Sequence, residues 1–159
     1  MSQKKEKEFE KIYSEYKDTV FGICVIYLKD YHLAEDAAQE TFIKVLKKHS
    51  SLRDKTKLKA WITKIAINVC RNKLLRKSRK EIPSENLPQK QVSGKYEEKL
   101  SVKDAVSRLK PELREAVILF YYQDFTQAEI SRILKIPPTT VAYRIRTAKA
   151  QLKTILEED

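Results

Sequence analysis

The chain predicts an all-helical fold built as two small units, and three observations carry that expectation. Its 159 residues include only two glycines, Gly22 and Gly94. Apolar residues recur at three- and four-residue steps over long stretches, as they do on amphipathic helices. No segment alternates apolar and polar residues in the manner of a half-buried strand. Apolar residues make up 42% of the chain, enough for a core, and a polar interruption past its middle divides it.

The first helix is expected over residues 6–28, with Phe9, Ile12, Tyr13, Tyr16, Val20, Cys24 and Tyr27 on its packing side. Asp30 suits the cap of a second helix over 33–48, in which Leu33, Ala34, Ala37, Ala38, Thr41, Phe42 and Val45 share a face. The opposite face carries Glu35, Asp36, Gln39 and Glu40, an acidic island in a basic chain. Two readings fit it: acids early in a helix complement the macrodipole, or the island is a docking surface for a basic partner. A polar loop over 49–57, with Thr56 as a cap, leads to a third helix from Leu58 to Lys80. Leu58, Trp61, Ile62, Ile65, Ala66 and Val69 line its packing face, with Trp61 as the central anchor. Three such helices pack as a bundle.

The third helix is also the most basic part of the chain. From Arg53 to Lys80 there are eleven Lys or Arg against one acid, Asp54. A solvated surface mixes signs, so this imbalance points to a polyanionic partner. The whole chain agrees in sign, with a net charge of +11 and a pI near 9.6, as expected for a partner such as nucleic acid.

Residues 81–99, EIPSENLPQKQVSGKYEEK, hold Pro83, Pro88 and Gly94 without helical periodicity and read as a flexible linker. The expected division is therefore a first domain at 1–80, a linker at 81–99 and a second domain at 100–159. In the second, Pro111 is placed to open a helix running to Tyr122, where its missing donor costs nothing. Thr126 followed by Glu129 forms a capping box for a short helix, and Pro137 and Pro138 end it and permit a last one. That last helix buries Val141, Ile145, Ala148, Leu152 and Ile155 and displays Thr139, Thr140, Tyr143, Arg144, Arg146, Thr147 and Lys149. A short capped helix, a tight turn and a longer basic helix make a helix-turn-helix. Arg144 and Arg146 suit phosphates, whereas Tyr143 and Thr147, four apart on one face, suit base edges.

Cys24 and Cys70 lie far apart in sequence with no CxxC, and read as small core residues of a reducing compartment. The N-terminus MSQKKEKEFEK lacks a signal-peptide apolar run, and no stretch reaches membrane-spanning length, so a cytoplasmic location is expected. No P-loop, Gly-rich phosphate cradle, metal-spaced His or Cys, or nucleophile elbow is present. Neither catalytic residues nor a cofactor or metal is expected.

Taken in order, AEDAAQETF at 34–42, KAWITKIAINVCRNKLLRKSRK at 59–80 and LKPELREAVILFYYQDFTQAEISRILKIPPTTVAYRIRTAKAQL at 109–152 resemble a bacterial RNA polymerase sigma factor of the extracytoplasmic-function group. This is the smallest type, with only a region 2 and a region 4 domain. The resemblance implies that Glu35, Asp36, Gln39, Glu40 and Phe42 dock on the clamp helices of the largest polymerase subunit, and that region 4 meets the flap of the second. It implies that the loop at 49–57, including Lys55 and Lys57, captures a flipped base of the minus-ten promoter element. Trp61, Lys64, Ile65, Asn68, Arg71, Asn72, Lys73 and Arg76 would then hold and melt that element. Thr126, Gln127 and the helix from Thr139 to Lys149 would read the minus-thirty-five element. An anti-sigma factor, often membrane-bound in such proteins, is implied as a further partner. The chain departs from the family's common Gly-Thr-Val-Lys-Ser-Arg with Thr139, Thr140, Val141, Ala142, Tyr143 and Arg144, and carries Asn72 where Asp is common. A stand-alone helix-turn-helix regulator acting without polymerase is the alternative.

Overall fold

Ser2 opens the first helix, its hydroxyl accepting from the Lys5 N–H at 3.2 Å. This helix, α1 (Gln3–Leu28), begins earlier than the apolar pattern suggests because its first turn is polar and exposed and so leaves no periodicity to read. The computed structural model describes residues 2–80 and 101–158, and every regular element among them is helical. The linker expected at 81–99 lies outside the described residues.

α1 ends at Lys29, whose left-handed backbone (φ 52°) lets its N–H reach the Val25 carbonyl at 2.7 Å. Asp30 then caps α2 (Tyr31–Lys48) as expected, accepting from Leu33 N–H at 3.0 Å. Two short 3-10 turns, His49–Ser51 and Lys55–Lys57, lead into α3 (Leu58–Lys80). Here the expected cap is corrected: Asp54, not Thr56, caps the turn. Its Oδ1 accepts from Thr56 N at 3.0 Å and from Thr56 Oγ1 at 2.6 Å, so the Thr56 hydroxyl is spent as a donor to a charged acceptor.

α1, α2 and α3 pack around Val20, Ile23, Tyr27, Ala37, Val45, Ile62, Ala66 and Ile67, all at most 1% exposed. Burial of an Ile or Val of this kind contributes about 1.5–3 kcal/mol. Two aromatic expectations shift. Trp61 is half-buried rather than central, because Ile62 and Ala66 take the inner face, and Tyr27 is the largest fully buried side chain. Tyr13 is 45% exposed and meets Phe42 edge-on, ring centroids 4.9 Å apart. The cysteines, distant in sequence, both lie buried in the core cluster and are unbridged.

Ser101 caps α4 (Val102–Ser107), and Pro111 opens α5 (Pro111–Val117) at the place expected. α5 runs on through a π-helical stretch, Ile118–Tyr122, closed by Gln123 N–H on the Ile118 carbonyl at 3.0 Å. Both bonds of the Thr126–Glu129 capping box form, at 3.1 and 2.8 Å, starting α6 (Gln127–Leu134). α7 (Pro138–Glu157) follows and buries Val141, Ile145 and Ala148 against its own unit, with Leu152 and Ile155 half-buried. The two units are packed together: α1 meets α4 and α5, α3 meets α6, and their buried residues form one continuous cluster.

Candidate nucleic-acid interface

The bundle places opposite charges on adjacent helices. Glu35, Asp36 and Gln39 project from α2 into solvent, so their carboxylates and amide are available to a partner. Glu40 is half-buried and pairs with Lys73 of α3 at 3.2 Å, which joins the acidic strip to the basic one. Phe42, predicted as a contact residue, is only 6% exposed and instead forms the floor of an open groove of about 680 Å³ between α1 and α2. Phe9, Tyr13, Phe21, Ala38 and Ile43 line that groove too, and Glu35 and Gln39 stand at its side, so the acidic strip meets a largely apolar trough.

On the loop before α3, Lys55 is exposed but already engaged, donating to the His49 carbonyl at 3.3 Å and lying 3.6 Å from Glu8. His49, 1% exposed, places its Nδ1 3.2 Å from the same Glu8 without a hydrogen bond forming between them. Lys57 is exposed and borders a second groove of about 490 Å³, lined also by Trp61, Lys64, Phe125 and Arg132.

Along α3 the predicted cations fare differently. Asn68, Asn72 and Arg76 are exposed. Arg71 is half-exposed, and its Nε and Nη2 donate to the two oxygens of Glu115 at 3.0 and 2.7 Å. That hydrogen-bonded carboxylate raises the Arg71 pKa against the opposing effect of burial. Lys64 is pulled below its ordinary range by burial and by the neighbouring Lys135.

In the second unit Thr126 and Gln127 are exposed at the start of α6. Along α7, Thr139, Arg146 and Lys149 are exposed, Thr140, Arg144 and Thr147 half-buried, and Tyr143 is 58% exposed. Tyr143 and Thr147 stand one turn apart, as their spacing requires.

Sequence reasoning missed the residues between the units. Tyr27 donates its hydroxyl to Glu115 at 2.6 Å, and burial followed by the Glu115 charge raises its pKa. Arg114, 9% exposed, donates to the carbonyls of Tyr27, Ser107 and Leu109 and stacks over the Tyr27 ring. Lys59 donates to the Gln123 carbonyl at 3.0 Å and sits over the Phe125 ring. The adjacent charges Arg114 and Glu115, followed at once by the apolar run Ala116–Leu119, were the one signal available. Among the described residues no cluster of His, Cys, Asp or Glu could hold a metal ion, and no helix is long and apolar enough to cross a membrane.

A basic helix beside an acidic one, followed by a helix-turn-helix, agrees with the comparisons. Residues 12–80 match the family Sigma-70 region 2, and residues 99–152 match Sigma-70, region 4. In Bacillus subtilis (strain 168), the ECF RNA polymerase sigma factor SigM is 29% identical over 154 residues, covering 92% of this chain and 93% of that protein. SigW of the same organism is 25% identical over 160 residues, covering 90% of this chain and 86% of SigW. Among solved structures, the sigma factor RpoE bound to the anti-sigma factor NepR, from Bartonella quintana, matches with a TM-score of 0.77 at 22% identity, covering 96% of this chain and 99% of that one. CnrH in complex with the cytosolic domain of CnrY matches at 0.72 and 17% identity, covering 97% and 90%; at these identities both structures speak to the fold. The chain belongs to the sigma-70 family of transcription initiation factors, in its extracytoplasmic-function group.

Proposed function

We propose that this chain is an initiation specificity subunit that binds RNA polymerase core, directs it to promoters and melts the minus-ten element, acting by binding and not as an enzyme. The observation that carries the reading is the placement of an acidic strip on α2 next to a basic strip on α3 in one bundle. Glu35, Asp36, Gln39 and Glu40, beside the trough floored by Phe42, dock on the clamp helices of the largest subunit, and the second unit meets the flap of the second subunit. The loop with Lys55 and Lys57 receives a flipped base, and Lys64, Asn68, Arg71, Asn72, Lys73 and Arg76 hold the melted strand. Extruding a base costs a few kcal/mol, which phosphate contacts from α3 offset. Thr126, Gln127, Thr139, Thr140, Tyr143, Arg144, Arg146, Thr147 and Lys149 engage the minus-thirty-five element. The functional units are residues 1–80 and 100–159 with 81–99 as linker, which allows two separated promoter boxes to be held with a gain in effective concentration.

Two of the structural relatives are complexes with NepR, an anti-sigma factor, and with the cytosolic domain of CnrY. By extension, an anti-sigma factor is a partner of this chain too, holding it in the cytoplasm or at the membrane face. The test is promoter opening by polymerase core with the R71A/K73A/R76A variant. Opening should fall at least about tenfold, as losing three phosphate contacts implies, while binding to core survives. Opening at the wild-type rate would remove α3 from the mechanism, and an unaltered choice of start site with wild-type protein would favour a stand-alone regulator.

A further inference from the structure

Glu115 lies in α5 of the second unit, 3% exposed, and among the described residues every hydrogen bond its carboxylate accepts comes from the first unit: one from Tyr27 Oη and two from the Arg71 guanidinium. A buried carboxylate is tolerable only with such partners, so in the docked chain Glu115 depends on the first unit, and water takes over those hydrogen bonds when the units part. Arg71 presents its Nε and Nη2 edge in a two-bond fork, the same geometry with which arginine grips a phosphate.

We propose that Glu115 is an intramolecular latch that occupies Arg71 in place of a promoter phosphate, so that the docked chain and the DNA-bound chain exclude each other. The proposal rests on the reading of Arg71 as a phosphate contact given above. Neighbouring contacts close in the same direction: Lys29 pairs with Asp104 at 3.0 Å and Lys59 donates to the Gln123 carbonyl, in each case across the units. One contact opposes them. Where α3 meets α6, the like charge of Lys135 adds to burial in lowering the Lys64 pKa, and no acid pairs with either among the described residues. Latch and like-charge contact act in opposite directions on one face, and a ligand that binds Arg71 only in the open form shifts the population towards it. DNA phosphate is that ligand, and opening also frees the two units to reach separated sites.

The experiment uses the full chain and two readouts: radius of gyration by small-angle X-ray scattering, and affinity for a fluorescent DNA duplex at fixed salt. Glu115→Gln keeps the side-chain shape but removes the charge and the fork. It should enlarge the radius and raise DNA affinity about tenfold, the gain expected if the competent fraction rises from about a tenth towards one. Tyr27→Phe, which removes one donor and no charge, should move both readouts the same way by less, and serves if Glu115→Gln lowers helicity by circular dichroism. R71A/E115Q should match the enlarged radius without the affinity gain. If E115Q and Y27F both fold and leave radius and affinity at wild-type values while R71A still abolishes promoter opening, the latch is wrong and the Arg71 reading stands. If R71A/E115Q binds DNA as well as E115Q, Arg71 is not a phosphate contact, and the latch fails with that reading.

Discussion

The two cationic helices differ in what holds their charges. On α3, Arg71 is forked by Glu115, Lys73 is paired with Glu40, Lys59 is bound to a backbone carbonyl and Lys64 faces Lys135. On α7, Arg146 and Lys149 are exposed, and neither enters an ion pair among the described residues. Position explains the difference. The first two-thirds of α3 is packed between its bundle partners on one side and α6 on the other, so Lys59, Arg71 and Lys73 meet acids or carbonyls there, whereas Arg76, Lys77, Arg79 and Lys80 at its end are exposed. α7 packs on α5 and α6 along one stripe and shows the rest to solvent. Charge read from a sequence gives the sign of a partner, whereas availability is decided by what folds against it.

The largest expected effect comes from breaking the docking that masks α3. Arg114→Ala strands three carbonyls, of Tyr27, Ser107 and Leu109, two of them in the second unit and one in the first. Losing a buried, charge-assisted set of this kind costs about 3 kcal/mol, so the urea midpoint should fall steeply. A loss below about 1 kcal/mol, the size of an ordinary exposed contact, would mean that Arg114 does not anchor the units and that their docking rests on apolar packing and the remaining polar contacts.

That anchor marks where the sequence stopped being legible. Asp30, Pro111, Pro138 and the Thr126–Glu129 box could be read because a cap is a local event, settled within one helical turn. The acidic and basic strips on α2 and α3 could be read because helical spacing fixes which residues share a face. Tyr27, Arg71 and Glu115 could not be joined in the same way, since Tyr27 and Arg71 precede Glu115 by 88 and 44 residues and nothing local to either end reports the pairing. The π-helical stretch Ile118–Tyr122 has no residue signature either, although it delivers the Gln123 carbonyl that takes Lys59. Thr56 has the residue type of a cap, and only the geometry shows that Asp54, two positions earlier, takes the role in the turn. Among aromatics, Tyr13 and Trp61 sit at the edge of an apolar face, where spacing cannot separate half-buried from buried.

A smaller effect sharpens the comparison from the repulsive side. Lys135 holds a left-handed backbone (φ 58°) at the end of α6, a position that suits glycine. Lys135→Gly removes that strain and the charge beside Lys64, and should stabilise the chain by roughly 1 kcal/mol. The sign follows from Lys64, whose pKa is depressed in the fold: its charged form is disfavoured there at neutral pH, and the penalty fades as pH rises through that lowered value. The gain from K135G should therefore shrink on going alkaline, and the Lys64 amine should titrate higher in the variant. A gain independent of pH would assign the whole effect to backbone strain.

The smallest effect concerns the ion pair at the far end of the same face. The Asp104 carboxyl is held below its usual range first by the hydrogen bond from Lys29 and then, against the cost of burial, by Ser101. The Ser101 share belongs to the α4 cap and persists when the units part, so only the Lys29 share is linked to docking. Because the docked value is depressed, the pair favours docking fully above the ordinary carboxylate range and loses that contribution as pH falls through the lowered value. Both partners are substantially exposed, so the contribution is a fraction of a kcal/mol at most. In Lys29→Ala the Asp104 carboxyl carbon should titrate at higher pH by NMR, with DNA affinity rising by less than in E115Q. If Asp104 titrates identically in the two proteins, Lys29 and Asp104 do not meet in solution, and docking depends on the Glu115 end of the interface alone.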